Sequence, residues 1–108
     1  RIALRKRPRT GLLAGLWEFP NVEGTLDEAG ASAVAADWGL TPKRWESRLT
    51  ARHIFTHVEW RMTGYTLEVA GEGPADFIWA ASGDLADRAV PSAFARYYDE
   101  AQKHLKED

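Results

Sequence analysis

Cysteine is absent from this sequence, which excludes disulfides, thiolate metal sites, cysteine-ligated iron–sulfur clusters and thiol nucleophiles within the chain. No apolar run approaches the roughly 20 residues that a membrane-spanning helix needs. The basic stretch over residues 1–9 is not followed by a signal-type apolar segment. The lack of cysteine is compatible with a cytosolic protein.

Methionine occurs once, at Met62, and the sequence does not begin with it. We therefore expect the chain to be a piece of a longer protein, with the function divided between this piece and the rest. Its 108 residues, 44% of them hydrophobic, suit one compact domain over residues 1–108.

Net positive charge is also lacking, because 14 Lys and Arg are offset by 16 Asp and Glu and the formal net charge is −2. A protein that binds nucleic acid by itself is usually basic, since phosphate contacts supply much of its affinity. Five of the 14 lysines and arginines crowd the first nine residues, at Arg1, Arg5, Lys6, Arg7 and Arg9. This cluster is either a solvated chain end or an edge that faces phosphates.

Apolar periodicity and turn residues predict the first half of the fold. A strand through Lys6 leads into the loop RPRTGLLAG and a short strand, LWEF, that ends at Pro20. Thr25, followed by Glu28 three residues later, fits a capping box. We predict a helix from there to Trp38, with Gly39 as its C-terminal stop.

The second half is predicted to contain three more strands and a helix. The strands are RWESRL with the HIF region, VEWRMTGYTLEVA and DFIWA, and a change of apolar parity after Gly64 predicts a bulge there. Pro91 opens the last helix, whose predicted buried stripe is Phe94, Tyr97, Tyr98, Ala101 and Leu105. This order predicts a mixed α/β (α+β) fold with one sheet flanked by helices.

The stretch HIFTH, residues 53–57, concentrates two histidines, an aromatic ring and a hydroxyl. On a strand, His53 and His57 are roughly 13 Å apart, which is too far for one ion unless the chain turns between them. No third ligand is near, so we predict no metal site. Phe55 has two equally weighted interpretations, core packing or a flat surface offered to a base.

The order of elements resembles the Nudix fold, whose helix ends in Arg-Glu-hydrophobic-x-Glu-Glu-x-Gly-hydrophobic and holds divalent metal through its carboxylates. Aligned on Gly39 and Leu40, the Arg-Glu and Glu-Glu positions are occupied by Ser32, Ala33, Ala36 and Asp37. One carboxylate remains where several are needed. We therefore predict a Nudix-like fold without diphosphate hydrolysis, and we assign no catalytic residue to this chain.

GLLAGLWEFP and HIFTH together are similar to segments of the C-terminal, Nudix-like domain of MutY-type adenine DNA glycosylases. The resemblance implies a role in base excision repair, in which the full glycosidase removes adenine mispaired with 8-oxoguanine. It also implies that the catalytic domain, with its iron–sulfur cluster, precedes this chain and is its partner. Double-stranded DNA containing 8-oxoguanine:adenine is the implied ligand, and a bacterial, cytoplasmic, nucleoid-associated protein the implied setting.

The resemblance assigns reading of 8-oxoguanine to Phe55, Thr56 and His57. Oxidation at C8 turns the guanine N7 from an acceptor into a donor and adds a carbonyl, and a hydroxyl such as that of Thr56 both donates and accepts. Arg52, His53, Arg7 and Arg9 are candidates for phosphate contacts or for support of the loop. We predict no cofactor in this domain.

Two alternatives remain open at this stage. The chain could be a divergent Nudix hydrolase of oxidised nucleotides, with metal ligands from outside the usual helix. It could also be a protein-interaction scaffold that binds its partner through an aromatic surface.

Overall fold

The computed structural model describes residues 1–55 and 58–106, so Thr56 and His57 lie outside the described residues. The elements in chain order are β1 (Ile2–Lys6), β2 (Trp17–Glu18), α1 (Glu28–Asp37), β3 (Thr41–Ile54), β4 (Glu59–Ala70), β5 (Ile78–Ala80), α2 (Ser82–Asp87) and α3 (Ala95–Lys106). A 3₁₀ turn, Ser92–Phe94, precedes α3. Within the described ranges, no helix has the length and apolarity required to cross a membrane.

The predicted mixed α/β class is confirmed, but the described strands form two antiparallel sheets where one was expected. One sheet has the order β2-β1-β5, and the other pairs β3 with β4. The chain divides into two compact units, the first made of Arg1–Val22 with Asp76–Asp108 and the second of Glu23–Ala75. Sheet membership depends on pairs that are distant in sequence, such as Ile2 with Ala80, which local periodicity does not specify.

The core of the first unit forms around β1, β5 and the C-terminal helices. Leu4 and Leu85 are completely buried and pack with Ala80 and Ala101. The helical stripe predicted after Pro91 is confirmed, since Phe94 is buried and Tyr98 and Leu105 pack against this cluster. The short helix α2 is not anticipated by the sequence patterns; the Asp84 carboxylate accepts a hydrogen bond from the Ala81 N–H at 3.1 Å at its start.

Glu18, in β2, is a buried carboxylate held by cations. Its Oε2 accepts from Arg5 Nε at 2.9 Å, and its Oε1 accepts from Arg7 Nη1 at 2.7 Å and from Asn21 Nδ2 at 3.0 Å. Arg7 Nε also donates to the Leu12 carbonyl at 3.0 Å. The carboxylate is therefore neutralised in its buried position, and Arg7 ties the loop between β1 and β2 to the sheet.

Replacing Glu18 by glutamine should destabilise the fold, because it removes the charge that two arginines face and places an N–H₂ donor near them. We expect E18Q to lower the free energy of unfolding by about 2 kcal/mol, measured by urea denaturation. The exposed Glu23 provides the matched control, and E23Q should change the free energy of unfolding by less than about 0.5 kcal/mol. Equal effects of the two substitutions would contradict the structural role of Glu18.

The N-terminus of α1 differs from the prediction. The capping box starting at Thr25 is wrong: Asp27 is the N-cap, and its Oδ1 accepts from the Gly30 N–H at 2.8 Å. A carboxylate is a stronger acceptor than a hydroxyl, and its charge is favoured at a helix N-terminus. The acidic residue therefore takes the cap two positions after the threonine.

The predicted C-terminal stop of α1 is confirmed. Gly39 has φ of +78°, a left-handed conformation that suits glycine. Its N–H donates to the Ala36 carbonyl at 2.9 Å, and the Leu40 N–H donates to the Ala35 carbonyl at 3.0 Å. These two bonds form a Schellman motif and direct the chain into β3.

The corrected cap can be tested by paired substitutions. We expect D27A to lower the free energy of unfolding by about 1 kcal/mol, the usual effect of losing an N-cap acceptor. T25A removes the hydroxyl of the residue first expected to cap and should be neutral. If thermal or urea unfolding showed a larger loss of unfolding free energy in T25A than in D27A, Thr25 and not Asp27 would be the N-cap.

The strands β3 and β4 form a long hairpin whose pairs run from Thr41 with Ala70 to Ile54 with Glu59. The predicted bulge at Gly64 is wrong, because Gly64 pairs directly with Leu49. The irregularities lie in β3 instead, next to Pro42 and after Trp45. Proline cannot donate to a strand ladder, which accounts for the first of them.

The change of apolar parity in β4 has another cause. Trp60 and Met62 lie on one face of the hairpin and Tyr65 and Leu67 on the other, and all four are half-buried. A strand that uses both faces shows two apolar sets of opposite parity without any bulge.

Candidate functional site

An aromatic cluster lies at the end of the hairpin where HIFTH begins. The Phe55 N–H donates to the Val58 carbonyl at 2.7 Å, next to the last strand pair, Ile54 with Glu59. The same register puts His53 directly opposite Trp60. Residues two apart project to the same face of a strand, so His53, Phe55 and Trp60 share one face.

Phe55 is held by edge contacts on two sides. Its ring centroid lies 4.7 Å from that of His53, with 67° between the planes, and 4.9 Å from that of Trp60, with 69° between them. Edge-to-face pairs of this kind contribute about 0.5–1.5 kcal/mol each beyond burial. Phe55 is half-buried, so it is both packed and partly accessible, and its offering a surface to a base stays a prediction.

The structure divides the predicted site residues between the two units. Arg52, His53 and Phe55 lie together at the hairpin end. Arg7 and Arg9 belong to the first unit, where Arg7 is engaged by Glu18 and is only 18% exposed. Arg9 is exposed in the loop after β1. Thr56 and His57, also predicted as site residues, lie outside the described residues.

Trp60 is missing from the set of site residues drawn from the sequence. It is five residues from Phe55, a separation that suggests no contact in an extended chain. The hairpin register supplies the missing information, since closure between Phe55 and Val58 brings residue 60 opposite residue 53. The flanking strands predict a hairpin, but only its register, which sequence patterns do not specify, points to Trp60.

An open depression of about 660 Å³ lies beside the start of α1, lined by Thr25, Leu26, Asp27, Glu28, Arg48 and Tyr65. Tyr65 Oη donates to the Leu26 carbonyl at 2.7 Å, which ties this end of the helix to the hairpin. The two acids of α1, Glu28 and Asp37, stand at opposite ends of the helix, about 13 Å apart along its axis. In residues 1–55 and 58–106, no three His, Cys, Asp or Glu side chains form a group that could hold a metal ion.

Residues 1–100 match the family model described as the NUDIX domain. The chain belongs to the NUDIX domain family. The match extends from β1 into α3 and so includes both compact units.

The chain is also similar to part of several adenine DNA glycosylases. It is 31% identical to the Schizosaccharomyces pombe protein over 97 residues (76% of this chain, 21% of that protein). It is 30% identical to the Rattus norvegicus protein over 120 residues (97% and 22%) and 29% identical to the Homo sapiens protein over 112 residues (90% and 20%). The resemblance inferred from GLLAGLWEFP and HIFTH is confirmed, and the chain spans about a fifth of the length of these relatives.

The contact between Phe55 and Trp60 should be measurable as a coupling energy. A double-mutant cycle of F55L and W60L should give a coupling of about 0.5–1.5 kcal/mol in the free energy of unfolding. Ile54 projects from the opposite face, so a control cycle of I54V with W60L should be additive within about 0.5 kcal/mol. Additivity in both cycles would show that the ring contact does not hold Phe55.

Proposed function

We propose that this NUDIX domain is the non-catalytic recognition domain of a MutY-type adenine DNA glycosylase, and that its HIFTH segment reads 8-oxoguanine opposite the mispaired adenine. The observation that carries the proposal is the packing of Phe55 between His53 and Trp60. That packing orients Phe55, the residue immediately before Thr56. The relatives support the repair role, because all three are named adenine DNA glycosylases.

The hydrogen bonds of the hairpin end narrow the choice of reading group. The Phe55 N–H is already engaged by the Val58 carbonyl, so it is not free to meet the lesion. The Thr56 hydroxyl can accept from the N7–H of 8-oxoguanine or donate to its C8 carbonyl. Phe55 would pack its accessible side against the lesion or a neighbouring base step, with His53 supporting the ring and His57 contacting a phosphate.

The rest of the enzyme is proposed to supply the chemistry. A domain N-terminal to this chain would carry the catalytic residues and the iron–sulfur cluster, for which this chain has no cysteine. It would also make most of the phosphate contacts, which is consistent with the net charge of −2 on this domain. We place the protein in the bacterial cytoplasm with its DNA.

The test is an NMR titration of the chain at low salt with duplexes containing 8-oxoguanine:adenine or guanine:adenine. Shifts centred on residues 53–60 and larger for the oxidised duplex are expected. T56V keeps the shape of the side chain and removes the hydroxyl. Because an unpaired buried polar group costs about 1–3 kcal/mol, the preference for 8-oxoguanine should fall at least about fivefold.

Thr63, in β4, provides a matched control, and T63V should retain the preference for 8-oxoguanine. An undiminished preference in T56V would reject Thr56 as the reading group. Equal affinity of the unaltered chain for both duplexes would reject lesion reading by this domain. Turnover of oxidised deoxyguanosine triphosphate with Mg²⁺ would favour the hydrolase alternative instead.

A further inference from the structure

The face of the hairpin end opposite the aromatic cluster carries an unusual pair of charges. Arg52 and Arg61 are directly opposite each other across the strands, beside the Ile54–Glu59 pair. We call these four residues the tip face. Both arginine side chains extend into solvent, being 72% and 83% exposed, and Ile54 is 65% exposed.

Directly opposed like charges destabilise a strand pair, and here the compensation is incomplete. One oxygen of Glu59, Oε1, lies 3.8 Å from Arg52 Nη1 and 3.3 Å from Arg61 Nε. In the described part of the chain, this is the one carboxylate paired with either guanidinium. Each guanidinium has five N–H donors in a fork that matches phosphate oxygens, so donors and net positive charge remain available.

At the other end of the hairpin, positive and negative side chains balance each other. Arg44 is flanked by two acids, with Nε 2.7 Å from Glu46 and 3.6 Å from Glu68. The hairpin is therefore polarised, with excess positive charge near HIFTH and balanced charge around Arg44 at the far end.

We propose that the tip face is a phosphate-binding surface, in which Arg52 and Arg61 together contact the backbone of duplex DNA beside the base read by HIFTH. The inference rests on the proposed function and adds a positioning surface to it. Ile54 immediately precedes Phe55, so the tip face and the aromatic cluster lie on the two sides of the same hairpin end, and a duplex that encloses this end would contact both. Phosphate contacts of this kind fix the register of the protein on DNA without reading sequence.

Glu59 modulates this surface. Its carboxylate relieves the repulsion between the arginines in the free protein and competes with phosphate for their donors. Removing its charge should therefore strengthen DNA binding, whereas removing the arginines should weaken it. A general loss of folding cannot produce both changes.

The experiment measures the affinity of the chain for an 8-oxoguanine:adenine duplex at several salt concentrations. Each phosphate contact contributes about 0.9 to the slope of log K against log salt concentration. We expect R52Q/R61Q to reduce the magnitude of that slope by about 2, and E59Q to tighten binding roughly twofold or more at low salt. R44Q, a loss of one arginine at the balanced end, should leave the slope unchanged.

The outcomes separate this inference from the proposed function. A fall in slope with an unchanged preference for 8-oxoguanine over guanine supports the tip face as a positioning surface. A fall in slope without any lesion preference in the unaltered chain also supports it, while rejecting lesion reading. An unchanged slope in R52Q/R61Q overturns the inference. Absence of binding by the unaltered chain overturns both proposals.

Discussion

The register of β3 against β4 determines which side chains meet at the end of the hairpin. The Phe55 N–H bond to the Val58 carbonyl closes that register, which puts His53 opposite Trp60 on one face and Arg52 opposite Arg61 on the other. Because strand side chains alternate with a period of two, a slip of one residue would exchange the faces. The aromatic cluster and the paired arginines thus depend on one set of backbone hydrogen bonds.

A two-stranded hairpin is marginally stable alone, so this register needs support from the rest of the second unit. Capped by Asp27 and ended at Gly39, α1 leads directly into β3. The bond from Tyr65 to the Leu26 carbonyl attaches the start of the helix to β4. The helix of this NUDIX domain therefore braces the β3–β4 hairpin, although most of its signature carboxylate positions hold other residues.

The segment GLWEFP is an example of a recognisable motif with a structural role. Its glutamate, Glu18, is buried and neutralised by Arg5 and Arg7, and Arg7 also holds the preceding loop at Leu12. An arginine in a basic run can thus be structural. The exposed arginines of the tip face, scattered in sequence, are better placed to meet a ligand.

Sequence patterns by themselves determined the fold class, the stripe of α3, the glycine stop of α1 and the family resemblance, because these features depend on local periodicity and on residues close together in the chain. Tertiary structure decided the division into two sheets, the capping by Asp27 and the partnership of Trp60 with Phe55. It also decided that Arg7 is structural while Arg52 stands beside Arg61. Each of these depends on competition between acceptors or on pairing across strands, which the spacing of residues along one segment does not contain.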